Sequence, residues 1–260
     1  VLLQDELNHP SLFQLNRRLR LRVQYRRISI VHHLRSSEAR PPWQNICYRL
    51  IERAYLKSVD GFIFNSQTTR AAVTSLVGDH RPAVVAYPAG DRFAPQLSDA
   101  EIESRACQAG PLRLIFVGNL IPRKGLHTLL DALALLPPET AHLAIVGRSD
   151  VDLAYSRQVR WQAENLGLTS RVEFIGNLPD TSLAVRLAES HALAVPSSYE
   201  GFGIVYLEAI GLALPGNGTI LADTPERKKL ARAAARQIIA LWARNIRPRD
   251  IVTADAIDNA

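Results

Sequence analysis

Two acidic residues in the segment SSYEGFGIVYLE, Glu200 and Glu208, stand eight positions apart, with Gly-Phe-Gly directly after the first. In one continuous helix their carboxylates would share nearly the same face, because eight residues make about two turns. The two glycines oppose that helix, since each costs about 1 kcal/mol relative to alanine. We therefore expect a loop that carries Glu200 and a helix that begins near Gly203 or Ile204 and carries Glu208.

Such an arrangement lets two carboxylates from different backbone elements converge on one ligand. Paired hydroxyl groups donate hydrogen bonds to carboxylate oxygens, so a sugar is a natural ligand for them. The alternative is that Glu208 is an ordinary helix residue without a ligand. The segment by itself leaves both interpretations open.

A second candidate site is the cation pair Arg123 and Lys124 in the segment VGNLIPRKGL. Gly118 closes a predicted strand there, and the two cations stand at the start of the next predicted helix. Backbone N–H groups at a helix amino terminus, together with two cations, suit a diphosphate. A helix begun by proline with two solvent-exposed cations is the alternative. The segment is not a P-loop, which requires Gly-x4-Gly-Lys-Ser/Thr.

Alternating strands and helices must position these residues. Apolar runs typical of buried strands are separated by segments of helical periodicity, which predicts parallel sheets with helices on both faces. The predicted strands are 28–34, 61–66, 83–88, 112–118, 141–147, 171–176 and 191–197, and the predicted helices include 37–59, 67–76, 124–137, 154–166, 180–189 and 204–212. Ligands of such sheets bind at the carboxyl ends of the strands, where the candidate residues lie.

The helix predicted for 37–59 carries an apolar stripe. Its members are Ile46, Leu50, Ile51 and Tyr55. A stripe at this spacing is typical of a helix.

The chain of 260 residues is long enough for two modest α/β domains. We place a first domain at 1–95, a polar and turn-rich linker at 96–110, a second domain at 111–222, and a basic helical tail at 223–260.

The net charge of +6 is concentrated in arginine clusters at 16–27 and 227–249. A basic face can contact nucleic acid, an anionic membrane or a phosphorylated substrate. The alternative is a helix face that contacts only solvent and carries a chance excess of arginine. We expect no nucleic-acid partner, because the sequence has no helix-turn-helix, RNP or zinc pattern. It also has no apolar run near 18 residues that would predict a membrane span. The two cysteines form no metal-ligand spacing and fit a reducing compartment.

Three motifs in order resemble the retaining, family 4 glycosyltransferases with the GT-B fold. They are Gly-x3-Pro-Arg-Lys-Gly after a strand, RVEFIGNL, and Pro-Ser-x-x-Glu-Gly-Phe-Gly-x4-Glu-Ala. The resemblance is dense over 111–212 and looser over 2–95. It implies a second Rossmann-like domain that holds a nucleotide-diphosphate sugar and a first that offers the acceptor, a glycan or a lipid-linked molecule. The donor, UDP- or GDP-linked, would be a substrate, so that no cofactor and no metal ion is expected.

The resemblance also implies roles for individual residues. Arg123 and Lys124 resemble the pair that offsets negative charge on the departing nucleotide. Glu200 resembles the acid near the donor sugar, and Glu208 the acid that accepts hydrogen bonds from the ribose. The other donor-site positions implied are Gly118, Asn119, Gly176, Asn177, Leu178, Gly201, Phe202, Gly203 and Ile204.

In the first domain, His33 closes a predicted strand and resembles a histidine near donor and acceptor. A buried, hydrogen-bonded histidine is the alternative. The segment from Gln4 to Ser11 follows an earlier strand and would border the acceptor cleft. We expect a cytoplasmic protein whose basic segment Arg17–Arg27 contacts the inner membrane face peripherally.

Two departures from the family pattern stand at the ends. No Gly-rich loop precedes the first strand, so we expect a first domain that is incomplete at its N-terminus. The segment after Leu214 has none of the family's motifs, which predicts an altered or truncated second domain. A truncated, non-catalytic nucleotide-binding or scaffold module is therefore the alternative function, and a basic nucleic-acid-binding protein is a weaker one.

Overall fold

The computed structural model describes residues 1–19, 24–38, 40–89, 92–93, 98–106, 108–200, 202–212 and 216–217. The chain divides into two compact units. The first unit consists of Val1–Ala89 and Tyr199–Gly203, and the second of Gly90–Ser198 and Ile204–Ala260. The predicted basic tail, 223–260, lies outside the described residues.

The first unit contains a four-stranded, fully parallel sheet in the order β1-β2-β3-β4. The strands are β1 (Leu2–Asp5), β2 (Arg27–Val31), β3 (Gly61–Phe64) and β4 (Ala83–Val85), and the helices are α1 (His9–Leu19), α2 (Pro42–Leu56) and α3 (Gln67–Val77). Short 3₁₀ turns follow β1 at Glu6–Asn8 and β2 at Arg35–Ser37.

Local chemistry explains where the helices of the first unit begin. α2 begins at Pro42 because proline fixes a helical φ and lacks an N–H that would go unsatisfied there. α3 begins after Ser66, whose hydroxyl accepts a hydrogen bond from the Thr69 N–H, and ends at Gly78. The core between sheet and helices consists of Val31, Leu34, Tyr55, Leu56, Val59, Phe62, Phe64 and Val73.

The apolar stripe of α2 is divided between two faces. Tyr55 is buried in the core, whereas Ile46, Leu50 and Ile51 are exposed. Helical periodicity correctly indicated the helix. The core contacts the side of the helix that carries Tyr55 and Leu56.

The second unit contains a five-stranded parallel sheet in the order β7-β6-β5-β8-β9. The strands are β5 (Leu112–Val117), β6 (Ala141–Val146), β7 (Val172–Gly176), β8 (Ala192–Ala194) and β9 (Gly216–Asn217), and the helices are α4 (Asp99–Ala106), α5 (Leu126–Ala134), α6 (Leu153–Asn165), α7 (Asp180–Glu189) and α8 (Ile204–Gly211). Strand order reverses between β5 and β8, the switch point at which open α/β sheets form their ligand crevice.

Two elements of the second unit differ from the sequence prediction. The segment predicted as a linker contains helix α4, which belongs to the second unit. The helix predicted from residue 124 begins instead at Leu126, because Pro122–Lys124 form a 3₁₀ turn and Gly125 takes a left-handed φ of 72°. By contrast, α7 and the start of α8 lie where the sequence predicted them.

No helix among the described residues is both long enough and apolar enough to cross a membrane.

Candidate functional site

A glycine follows or ends each of three neighbouring strands at the carboxyl edge of the second unit. Gly118 follows β5, Gly147 follows β6, and Gly176 ends β7. Hydrogen bonds join these ends, from Gly118 N to Val146 O at 2.9 Å and from Gly147 N to Gly176 O at 2.8 Å. A Cβ on Gly147 would lie 2.0 Å from the Gly118 carbonyl oxygen, so no other residue fits there without movement. This edge is therefore bare backbone that a ligand can approach closely.

The Arg123-Lys124 turn is clamped to the segment that follows β8. The Ser198 N–H donates to the Arg123 carbonyl oxygen at 2.8 Å. A Cβ on Gly125 would lie 2.0 Å from the Pro196 carbonyl oxygen, so the turn and this segment are in close contact. The structure thus places both predicted cations at the switch point between β5 and β8.

Lys124 extends back over the end of β5. A Cβ on Gly118 would lie 3.3 Å from Lys124 Cε, which is closer than an ordinary carbon–carbon contact. The structure therefore brings Gly118 and Lys124 together, as the sequence predicted for two residues of one site. Asn119 is exposed beside them.

Two helix amino termini lie at the same switch point. α5 begins directly after the Arg123-Lys124 turn, and α8 begins at Ile204, after Gly203 with its φ of 76°. The Tyr206 hydroxyl donates to the Val195 carbonyl oxygen at 2.7 Å and fixes α8 against the end of β8. The helix dipole at such ends favours an anion.

Glu208 is a buried carboxylate with a cation partner. Its side chain is only 3% exposed, and Arg92 Nη1 donates to Glu208 Oε1 at 2.9 Å. Arg92 Nε also donates to Asp180 Oδ2 at 3.1 Å, where Asp180 is the first residue of α7. The hydrogen bonds from Arg92 hold the pKa of Asp180 below its usual range, and those to Asp180 and Glu208 raise the pKa of Arg92. The buried Glu208 side chain therefore has a guanidinium as its partner.

The sequence did not indicate Arg92 and Asp180 as site residues. In the sequence, Arg92 lies 116 positions from Glu208 and 88 positions from Asp180, so no local spacing connects them. The one usable signal was Glu208 itself, since an acid inside the apolar helix α8 requires a cation from elsewhere.

The segment with Glu200 groups with the first unit, although the sequence assigned it to the second domain. The Tyr199 ring centroid lies 6.2 Å from that of His33, and the Phe202 centroid lies 6.1 Å from that of Tyr87. Glu200 is half-buried. Gly201 lies outside the described residues.

His33 is a half-buried histidine with a carboxylate partner. Its Nε2 lies 3.1 Å from Glu38 Oε1, and it follows β2 as the sequence predicted. The neighbouring His32 has its Nε2 3.7 Å from Asp5 Oδ2. Both histidines thus stand at the carboxyl edge of the first sheet.

The first unit also contains a buried carboxylate that the sequence did not single out within the segment from Gln4 to Ser11. Glu6 directly follows β1, and neither of its carboxylate oxygens has a hydrogen-bond partner among the described residues. Burial raises the pKa of Glu6 to about 7, against a lowering by the nearby His33. His9 Nε2 is also buried, and no described residue forms a hydrogen bond with it. The signal in the sequence that could have indicated Glu6 was its position as an acid immediately after a predicted strand.

The remaining predicted donor-site residues lie along the same carboxyl edge of the second unit or at the start of α8. Asn177 is exposed and Leu178 half-buried after β7, and Ile204 is exposed. A cavity of about 420 Å³ lies instead at the opposite, amino-terminal edge of the sheet, lined in part by Arg113, His142 and Arg171. Since strand amino termini are not where such sheets bind ligands, we assign the site to the carboxyl edge. The described residues contain no group of three or more metal-ligating side chains.

Comparison with known sequences and folds adds independent information. A sequence model of the family described as Glycosyl transferases group 1 matches residues 98–236, more than half of the chain. A sucrose-phosphate synthase from Thermosynechococcus elongatus superimposes with a TM-score of 0.70 at 23% identity, covering 94% of this chain and 68% of that one. The Anabaena protein Alr3699/HepE in complex with UDP superimposes with a TM-score of 0.66 at 21% identity, covering 100% of this chain and 79% of that one. The predicted fold class, two Rossmann-like parallel-sheet domains of the GT-B type, is confirmed.

A shorter stretch of the chain is similar to dihydroxy-acid dehydratases. The dihydroxy-acid dehydratase of Hydrogenobaculum sp. (strain Y04AAS1) is 57% identical over 53 residues, which are 20% of this chain and 10% of that enzyme. The dihydroxy-acid dehydratase of Aquifex aeolicus (strain VF5) is 55% identical over the same length. The chain thus spans about a tenth of the length of the curated relatives that it matches.

Proposed function

The chain belongs to the group 1 glycosyl transferases, and we propose that it moves a sugar from a nucleotide-diphosphate donor to an acceptor hydroxyl with retention of configuration. The observation that carries this proposal is the position of Arg123 and Lys124. A hydrogen bond to Ser198 and the packing of Gly125 hold their turn at the sheet's switch point, beside two helix amino termini. Two cations beside helix amino termini suit a diphosphate.

In the proposed reaction, the bond between sugar C1 and the phosphate oxygen breaks, and its electron pair leaves with the nucleotide diphosphate. The acceptor oxygen bonds C1 on the same face, and its proton passes to the departing phosphate oxygen. Negative charge grows on the diphosphate as the bond breaks, so Arg123 and Lys124 stabilise the transition state more than the ground state. One such preorganised donor is worth about 100-fold or more in rate. The two cations fill the role that a metal ion has in other transferases.

We assign the rest of the donor to the same carboxyl edge. The glycine-lined edge from Gly118 to Gly176 accepts the nucleotide against bare backbone, with Asn177 and Leu178 beside the base. Glu208 accepts hydrogen bonds from the ribose hydroxyls, and the hydrogen bond from Arg92 holds its carboxylate in position. We propose a UDP- or GDP-linked donor that is bound as a substrate, with no cofactor.

The first unit supplies the remaining proposed roles. We assign Glu200 and the backbone of Phe202 to the donor sugar, and His33 to the region near C1 and the acceptor. The buried Glu6 at the carboxyl edge of the first sheet borders the acceptor, which we propose to be a glycan or a lipid-linked molecule.

Titration calorimetry of the chain with UDP-glucose, GDP-mannose and ADP-glucose tests the proposal. We expect one nucleotide class to bind and the others to bind at least about tenfold more weakly. Incubation with the bound donor and a panel of sugar acceptors, followed by NMR of the anomeric proton of the product, tests retention. Binding without transfer would favour the alternative, a non-catalytic nucleotide-binding module, and no binding by any donor would contradict the proposed function for this chain.

A further inference from the structure

Helix α2 presents an apolar row to the solvent. Trp43, Ile46 and Leu50 are 66%, 59% and 62% exposed, and Cys47 is exposed between them. Their spacing of three and four residues places them on one face of the helix. This row, Trp43-Ile46-Cys47-Leu50, is called the outer row below.

The opposite side of α2 is firmly anchored. Tyr55 and Leu56 are fully buried in the core of the first unit, and Glu52 is buried where Ser36 donates to its carboxylate. α1 packs against α2 as well. The outer row is therefore exposed because the helix already buries its other side, and rotating the helix would expose the core.

The charges beside the outer row are positive. Arg49 and Arg53 follow Ile46 and Leu50 by three residues each, so they form an adjacent row on the same helix, and both are exposed. The single acid of α2, Glu52, is buried on the opposite side. An exposed tryptophan and aliphatic row flanked by arginines is the composition of a helix that lies in the plane of a membrane interface.

We propose that the outer row of α2 docks the protein on an anionic phospholipid surface, with Trp43 and Leu50 inserted at headgroup depth and Arg49 and Arg53 against the phosphates. Charge complementarity selects this occupant, because an apolar partner alone would not require the arginine row. In the arginine segment predicted for this role, Arg17–Arg27, the last arginine is already paired. Arg27 donates to Asp60, from Nε to Oδ2 at 3.0 Å and from Nη2 to Oδ1 at 3.1 Å. The proposal does not rest on sugar transfer.

Co-sedimentation of the full chain with vesicles tests the proposal. We use phosphatidylcholine vesicles and the same vesicles with phosphatidylglycerol added. The wild type is expected to bind the phosphatidylglycerol vesicles and to lose binding as salt is raised. The double variant W43A/L50A and the double variant R49E/R53E should each lower the partition coefficient by about tenfold or more, the first by removing apolar area and the second by reversing charge.

Matched controls come from helix α6 of the second unit. Trp161 is 67% exposed, and Arg157 and Arg160 are exposed on the same helix. W161A removes an equally exposed tryptophan, and R157E/R160E changes the net charge by the same amount as R49E/R53E. Both controls should bind vesicles like the wild type, and circular dichroism should show that all variants are folded.

Three results would overturn the proposal. Vesicle binding retained in W43A/L50A would exclude the outer row, and equal loss in R157E/R160E would show a non-specific charge effect. Sedimentation velocity supplies the third. If W43A/L50A converts a dimer to a monomer and leaves vesicle binding unchanged, the outer row contacts a second copy of the chain instead.

Discussion

Arg92 and Glu208 form an ion pair in the second unit, with Nη1 of the guanidinium 2.9 Å from Oε1 of the buried carboxylate. The same guanidinium binds Asp180 at the start of α7. One exposed arginine thus connects the beginning of the second unit to α7 and to the acid that we assign to the donor ribose. The pair is therefore a structural requirement of the proposed donor site as well as a contribution to stability.

Replacing Arg92 by alanine should destabilise the second unit by about 1–3 kcal/mol, because it leaves the Glu208 carboxylate buried without its cation. The partly exposed position of Arg92 keeps the expected loss below that of a fully buried pair. Urea unfolding measures the change. The double variant R92A/E208Q is the control and should recover part of the loss, since it removes the uncompensated charge. An R92A variant as stable as the wild type would show that the pair contributes nothing.

Gly125→Ala should destabilise the protein by about 2 kcal/mol or more. The new Cβ would meet the Pro196 carbonyl oxygen at 2.0 Å, and the φ of 72° is strained for alanine. Gly167 is a matched control, because its φ of 67° is similar but a Cβ there meets nothing within 4 Å. Gly167→Ala should therefore cost only the backbone strain, about 1 kcal/mol. Equal losses measured by thermal or urea unfolding would contradict the close packing of the Arg123-Lys124 turn.

Glu6→Gln should change the dependence of stability on pH. Burial raises the folded-state pKa of Glu6 from 4.5 to about 7, so the folded state binds a proton more tightly than the unfolded state. The stabilisation from that proton is fully present below pH 4.5 and is lost as the pH rises to 7. E6Q lacks this titration. Its free energy of unfolding relative to the wild type should therefore rise by on the order of 3 kcal/mol over this pH range.

Urea unfolding at both ends of that pH range checks the Glu6 prediction. His9 lies nearby, and its pKa is lowered by burial, so its own contribution rises with pH. Because both chains contain His9, the difference between wild type and E6Q removes this contribution. A difference that stays constant with pH would show that Glu6 is not titrating in the folded state.

The sequence predicted the carboxyl ends of β5, β6 and β7 to within one residue, and hydrophobic periodicity explains why. α7 spans Asp180–Glu189 and α8 begins at Ile204, both as predicted. The residue before α8, Gly203, has a positive φ of 76°, which its lack of a Cβ permits. Such local signals depend on neighbours in the sequence. The same alternation predicted Arg123 and Lys124 at the start of the helix after β5, and the structure places them in the 3₁₀ turn that precedes α5.

Features that depend on tertiary partners could not be predicted. Helix α4 was interpreted as a linker because its eight residues are mostly polar. The exposure of Ile46 and Leu50 depends on which side of α2 contacts the core, and periodicity does not contain that information. The Arg92–Glu208 pair joins residues 116 positions apart, so only the folded chain reveals it.

The affinity of the Lys124→Ala variant for the nucleotide donor tests the central claim most directly. Calorimetric titration with the donor that binds the wild type should show an affinity loss of about 10-fold to 100-fold, because one charge-assisted contact to the diphosphate is removed. Arg157→Ala removes one exposed positive charge of the same unit and should leave the affinity unchanged. A K124A affinity equal to that of the wild type and of R157A would contradict a donor site at the β5–β8 switch point.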